Sequence, residues 1–239
     1  MAFAPAYPHD PIEEITQDVY MARGSIRMNP VVRLTRNMAI VRHAGELTLV
    51  NPIRLNDQGL QQLEALGDVK HIIRLGPFHG VDDPFYMDRY EPAFWSLEGG
   101  KAYTEPAIDH ALTEAGELPF PGAELWRFEK VKQPEGVLLL NTGGGVLLTC
   151  DAVQHYGDYS NCNLAARIMM PLIGFRKTTL VGPIWLKLMT PEGASLQDQF
   201  ERLLTLRFGS LLSAHGTLLR DGAHQAVTAA VARAFPTSP

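Results

Sequence analysis

A chain of 239 residues, 46% of them hydrophobic, is long enough to bury a large core as one domain over 1–239. Against 26 Asp and Glu it carries 21 Lys and Arg, a net charge of −5 with no basic run to neutralise a phosphate backbone, which excludes nucleic acid as a partner. No apolar run approaches the roughly 20 residues that span a bilayer, and residues 1–14 lack the basic start and apolar stretch of a secretory signal, so a cytoplasmic protein without a membrane partner is expected.

Residues 1–14, with prolines at 5, 8 and 11, read as a loosely ordered arm. Val19 to Met21, Val31 to Leu34, Met38 to Arg42 and Leu47 to Val50 are β-prone runs, divided by Gly24, Asn29-Pro30, Asn37 and Gly45-Glu46 into an antiparallel meander. Asn56 or Asp57 caps a helix to about Leu66 with Leu60, Leu63 and Leu66 on one face, and Gly67 turns the chain into a strand over Val69 to Leu75. That strand, helix, strand order predicts a parallel pair. Asp82 to Tyr90 reads as a loop and short helix, Pro92 to Trp95 as a packed corner, Lys101 to Tyr103 as a brief strand and Glu105 to Ala115 as a helix. Glu124 to Phe128 is a strand before the hairpin of Val137 to Leu140 and Val146 to Thr149, joined by Asn141-Thr142-Gly143-Gly144-Gly145. Helices are expected over Asn163 to Ile173, after Gly182-Pro183, over Leu196 to Leu206 and over Asp221 to Phe235, with a last strand at Ser210 to Ser213. Cys150 and Cys162 are too few for a disulfide framework or a thiolate zinc site and read as reduced, small buried residues.

Asp151 leaves the end of a buried strand, where an unpaired charge is costly, so it needs a strong partner. His79, followed by Gly80, and His215, followed by Gly216, are each delivered after an apolar strand. Three such ends converging on one point would hold a metal. The glycines of the hairpin turn join two strands instead of opening a helix, and no lysine follows, so they do not form a phosphate cradle. His9, His43, His71, His110 and His224 are read as incidental.

On Leu75 to Asp83, Leu147-Leu148-Thr149-Cys150-Asp151 and Ser213-Ala214-His215-Gly216, the chain from about Ile15 to Phe235 resembles a divergent member of the metallo-β-lactamase fold superfamily. Within it, the chain is similar to a group of small cytosolic proteins of metal-dependent hydrolase type. The resemblance implies an α/β fold, a four-layer αββα sandwich of two mixed sheets flanked by helices. It departs from the family's His-x-His-x-Asp-His motif. With His79 in the first place, Val81, Asp83 and Pro84 fall on the remaining positions; with His79 in the second, Val81 and Asp82 do. The Pro-Gly-His expected ahead of the hairpin is missing.

Carried over residue by residue, the resemblance leaves His79, Asp83, Asp151 and His215 as ligands of one divalent ion, zinc first, with manganese or iron as alternatives, or of none if the site is degenerate. Asp151 would bridge or orient the ion, and Asp83 would be a ligand or the base that holds the water. Asp82 and His155 are further candidates, although Asp82 and Asp83 before Pro84 read equally well as helix caps. Arg74 and Lys187 would receive an anionic small-molecule substrate if they face one cleft. Two functions follow: a hydrolase using metal-activated water, substrate unspecified, or a silent scaffold of the same fold that binds a small ligand or a protein partner.

Overall fold

In a computed structural model, which describes residues 3–236, the longest feature is a hairpin of β2 (Val19–Arg27) and β3 (Arg33–His43). It anchors a seven-stranded mixed sheet. β1 (Glu13–Thr16) and β4 (Glu46–Val50) flank it antiparallel; β5 (Asp68–Arg74), β6 (Ala93–Ser96) and β7 (His110–Ala111) extend it in parallel, in sequence order. The β4–β5 pair is parallel because α1 (Asp57–Leu66) carries the chain back across the sheet. Asn56 caps that helix by accepting the Gly59 amide at 2.8 Å, and Leu60 and Leu63 are its buried face.

A second, four-stranded sheet runs β13 (Ser210–Ser213), β10 (Val146–Thr149), β9 (Gly136–Leu140) and β8 (Ala123–Arg127), with β10 and β13 parallel and the rest antiparallel. Side chains alternate across each strand, and the partition of the core follows from that period. Leu138, Leu140 and Leu148 meet Val19, Met21, Val41 and Ile73 of the first sheet, while Val137, Leu139 and Leu147 meet Phe200, Leu203, Val227 and Val231. Those last four belong to α5 (Gln197–Leu203) and α6 (Ala223–Ala234), and Trp185 of α4 (Pro183–Met189) joins them. On the far side of the first sheet, Ile40, Leu49 and Ile72 pack with α1 and with Phe85 and Tyr86 of α2 (Asp83–Tyr90). The layers are therefore helix, sheet, sheet, helix, the αββα order expected. A small two-stranded sheet, β11 (Val153–His155) with β12 (Thr179–Val181), and α3 (Leu164–Leu172) complete the elements.

Several local expectations are corrected. Gly24 and Asn37 do not divide the meander; they lie inside β2 and β3. A Cβ on Gly24 would stand 2.7 Å from Ile53 Cδ1 and 2.8 Å from His9 Cβ, so this glycine serves close approach, not a turn. Glu13 and Glu14 of the supposed arm form part of β1, and Met1 and Ala2 lie outside the described residues. Pro92 to Trp95 is not a corner, since Ala93 to Ser96 is β6; Lys101 to Tyr103 forms no strand, and Glu105 to Ala115 no helix. There the backbone bonds to a neighbouring strand instead of to itself: Asp109 N donates to Phe94 O at 3.0 Å and Leu112 N to Ser96 O at 2.9 Å. β11, just after Asp151, was not expected at all. No described helix is long and apolar enough to cross a membrane.

Candidate metal centre

Asp151 lies two residues past the end of the hairpin's second strand, β10, and is placed by its backbone. The amides of Asp151 and Ala152 both donate to Glu135 Oε1, at 2.9 and 2.7 Å, and Glu135 Oε2 accepts the Trp185 indole N–H at 2.7 Å. Two close approaches need residues without side chains. A Cβ on Gly182 would sit 2.2 Å from Asp151 O, and one on Gly76 would sit 2.5 Å from Cys150 Sγ.

His215 follows β13 and is held by β3: its Nδ1 lies 2.6 Å from Thr35 O, and the next amide, Gly216 N, donates to Thr35 Oγ1 at 2.8 Å. Asn37 Nδ2 donates to Ser213 O at 2.8 Å and Gly216 O at 3.2 Å, locking both sides of the histidine. A carbonyl oxygen only accepts, so Nδ1 carries the proton and Nε2 is the atom turned to Asp151. His79 lies in the loop after β5, 2% exposed, and Arg36 Nη2 donates to its carbonyl at 2.9 Å.

These three residues meet. His79 Nε2 lies 3.1 Å from Asp151 Oδ2, His215 Nε2 lies 3.2 Å from Asp151 Oδ1, and the two rings stand edge to face with centroids 5.0 Å apart. One donor atom from each falls within 4.8 Å of the others. Donors about 2.0–2.2 Å from one ion stand about 3.3–3.6 Å apart at tetrahedral angles, so the set fits a divalent metal with an open position. The proton on His215 Nδ1 fits it too, because Nε2 is then either protonated or a lone pair beside a carboxylate, and the second state needs a shared cation. Among the described residues, His79 Nδ1 is buried without a hydrogen-bond partner.

Electrostatics keep the donors available. Burial, reinforced by the Arg36 guanidinium, lowers the His79 pKa to about 4, so the imidazole is neutral at pH 7. Burial alone would raise the Asp151 pKa, but the His79 and His215 imidazoles outweigh it and hold the carboxyl well below the ordinary range. Burial pushes the Cys150 thiol well up, which leaves it inert. Burial and the charge of Asp151 likewise raise Glu135 well above the usual carboxylate range.

The other expected site residues lie elsewhere. Asp83, expected as ligand or base, is not part of the donor group: its Oδ2 pairs with Arg74 Nη1 at 3.1 Å, both side chains buried, and burial raises its pKa to about 7 against the pull of Arg74 and Arg36. Asp82 occupies the cap position of α2, but its side chain makes no capping bond, and burial raises its pKa. His155 is tied through Nδ1 to Thr179 Oγ1 at 2.8 Å, and its carbonyl accepts Thr217 N at 2.7 Å, so it supports the turn after His215 without joining the donors. Nor do Arg74 and Lys187 share a cleft. Arg74 is spent on Asp83, on the carbonyls of Tyr103 and Glu105 and on the Phe94 ring, at the edge of a 150 Å³ cavity that Lys187 does not line; Lys187 is exposed on α4.

Glu135, Arg36, Thr35 and Asn37 were not anticipated. The signals were there: Glu135 is an acid directly before the buried run Gly136 to Leu140, and Arg36-Asn37 is a polar pair inside an apolar strand. Of the histidines read as incidental, His9 accepts the Asn56 amide, His71 accepts the Trp95 indole and His110 stacks on it.

No family model matches the sequence, and no curated protein matches it. Solved structures do. The metallo-β-lactamase FIM-1 from Pseudomonas aeruginosa in its mono-zinc form superposes over 98% of this chain and 99% of its own, with a TM-score of 0.65 and 12% identity. A metallo-β-lactamase from Erythrobacter litoralis matches over 92% and 89%, with a TM-score of 0.61 and 12% identity. One from Pontibacter korlensis matches over 95% and 100%, with a TM-score of 0.60 and 10% identity. The chain therefore has the metallo-β-lactamase fold. At such identities the likeness shows the fold alone; the candidate metal ligands are placed by this chain's own residues.

Proposed function

We propose that the chain is a hydrolase of small molecules that works with one divalent ion, zinc by preference, held by His79, Asp151 and His215. The observation that carries this reading is Asp151 set between two imidazole Nε2 atoms, at 3.1 and 3.2 Å, with one of those rings fixed in its tautomer by Thr35. When bound, such an ion supplies Lewis acidity, lowering the pKa of water from 15.7 to about 7 and polarising a carbonyl or phosphoryl oxygen. The chain's own residues do the rest. Neutral His79 offers a nitrogen lone pair at pH 7, Asp151 offers negative charge, and Glu135 and Thr35 fix the angle of Asp151 and His215. With Asp83 paired to Arg74, Asp151 is the one carboxylate in the donor group with the imidazoles and the candidate to orient the attacking water.

A second reading, a silent scaffold that binds a small ligand or a protein partner, is favoured by Arg36. Its buried guanidinium bonds to the His79 carbonyl and already places a cation beside the donors. Turnover separates the two. Protein loaded with zinc, manganese or iron is assayed on ester, thioester, lactam and phosphodiester substrates. The hydrolase reading expects turnover that a chelator removes, added metal restores and Asp151→Ala abolishes; turnover that survives chelation contradicts it.

A further inference from the structure

Eight of the nine large hydrophobic side chains left exposed among the described residues fall in three neighbouring pieces of chain. On α3, Leu164, Ile168 and Leu172 repeat at four-residue intervals on the outer face, Leu172 being 81% exposed, while Ala166 and Met170 turn inward. On α4, Ile184 and Leu188 do the same, with Trp185 and Met189 inside. The end of α3 comes close to the start of α4: a Cβ on Gly174, two residues past α3, would lie 3.1 Å from Cγ of Pro183, the first residue of α4. The third piece is the β2–β3 hairpin tip, where Met28 and Val31 protrude, and it is tied to the start of α3 by Asn163, whose Nδ2 donates to Val31 O at 2.7 Å.

Charge says what covers this face. No acidic residue stands between Asp158 and Glu192, a span that holds Arg167, Arg176, Lys177 and Lys187, and none stands between Asp18 and Glu46, the span of the hairpin. Arg167 and Lys187 each sit one residue before an exposed apolar side chain of their helix, Ile168 and Leu188. Arg167 gives its hydrogen bonds to the carbonyls of Tyr159, Ser160 and Cys162, and Arg27 gives its own to those of Asn29 and Pro30, so neither charge is neutralised there. In a chain of net charge −5, the two stretches that carry this apolar face hold no acid, and the acids bordering it, Asp158 beside Lys177 and Asp10 bonded to Asn161, stand at its edge near the start of α3. Protruding aliphatic groups carried on acid-free segments with Arg27, Arg167, Arg176 and Lys187 suit the boundary of an anionic bilayer. They do not suit a second copy of the same face, whose charges would repel.

We infer that α3, α4 and the β2–β3 tip form a docking face for an anionic lipid surface. The sequence expectation of no membrane partner rested on the lack of a spanning run; a face assembled from two short helices and a hairpin tip leaves no such run. Docking is independent of turnover, although the elements are shared: Trp185 of α4 bonds to Glu135, and Thr35 of the hairpin holds His215.

The test is sedimentation of the full chain with vesicles of phosphatidylcholine alone or of equimolar phosphatidylcholine and phosphatidylglycerol, beside sedimentation velocity without vesicles. Binding to the anionic vesicles only is expected, weakened by salt, by about fivefold for each of Arg176→Ala and Lys187→Ala and by tenfold or more for Leu172→Glu. The substituted side chains are exposed, and circular dichroism checks that the variants fold. Equal binding to both vesicle types, no binding to either, indifference to Leu172→Glu, or a vesicle-free dimer that Leu172→Glu dissociates would each overturn the inference.

Discussion

His79 shows how much one residue's surroundings decide. Unfolded, a histidine takes up its proton near pH 6.5; buried beside Arg36, this one does so at about 4. Between those values the unfolded chain binds more protons than the folded one, so stability rises with pH and is lost as pH falls from about 6.5 to about 4, at up to about 1.4 kcal/mol per unit. The metal-free wild type measured against His79→Gln by urea unfolding at several pH values should show this extra slope, and equal slopes would refute the burial argument. Asp83 and Glu135 make an opposed pair of predictions. Asp83→Ala strands the buried Arg74 charge and should cost about 3–5 kcal/mol while leaving metal affinity unchanged, because Asp83 is outside the donor group. Glu135→Ala frees three N–H groups that it satisfies and should weaken metal binding about 10–100-fold by loosening Asp151. Metal titration of both variants distinguishes support from ligation; reversed effects would mean that the roles are exchanged.

At the scale of elements, the site depends on strand ends that local pattern reveals and on crossings that it hides. The Gly136–Leu140 and Val146–Thr149 hairpin, the Asn56 cap and the Ser210–Ser213 strand were legible because apolar runs bounded by Gly or a capping Asn are local signals. Convergence of His79, Asp151 and His215 was also expected, since each polar residue follows a buried strand. Hidden were the contacts that run between distant segments: Thr35 to His215, Glu135 to Asp151, and Arg74 to Asp83 in place of a metal. The missing 105–115 helix is the same case, its backbone bonds being taken up by β6. Gly216 carries the element-scale prediction. Its φ is +84°, and a Cβ would lie 2.0 Å from His155 O, so Gly216→Ala must distort the β11–β13 junction and shift His215. A loss of about 1–3 kcal/mol of unfolding free energy, read from a lowered urea midpoint, is expected together with weakened metal binding; full stability with full binding would show that the turn tolerates a side chain.

Across the whole molecule, the fold supplies a frame in which two sheets, packed face to face between helices, bring three chain segments to one point. The resemblance to metallo-β-lactamases read from residues 75–83, 147–151 and 213–216 anticipated that frame, and structural neighbours over nearly the whole chain have it. What the frame holds is set by this chain's own residues: three convergent donors, a buried arginine beside them and a second carboxylate bonded to the Asp151 backbone. The most direct test is elemental analysis of protein purified without added metal. Near-stoichiometric divalent metal is expected in the wild type and in Asp83→Ala, with none in His79→Ala or Asp151→Ala variants that remain folded. A metal-free wild type, or metal retained by both of those variants, would contradict a centre built on His79, Asp151 and His215.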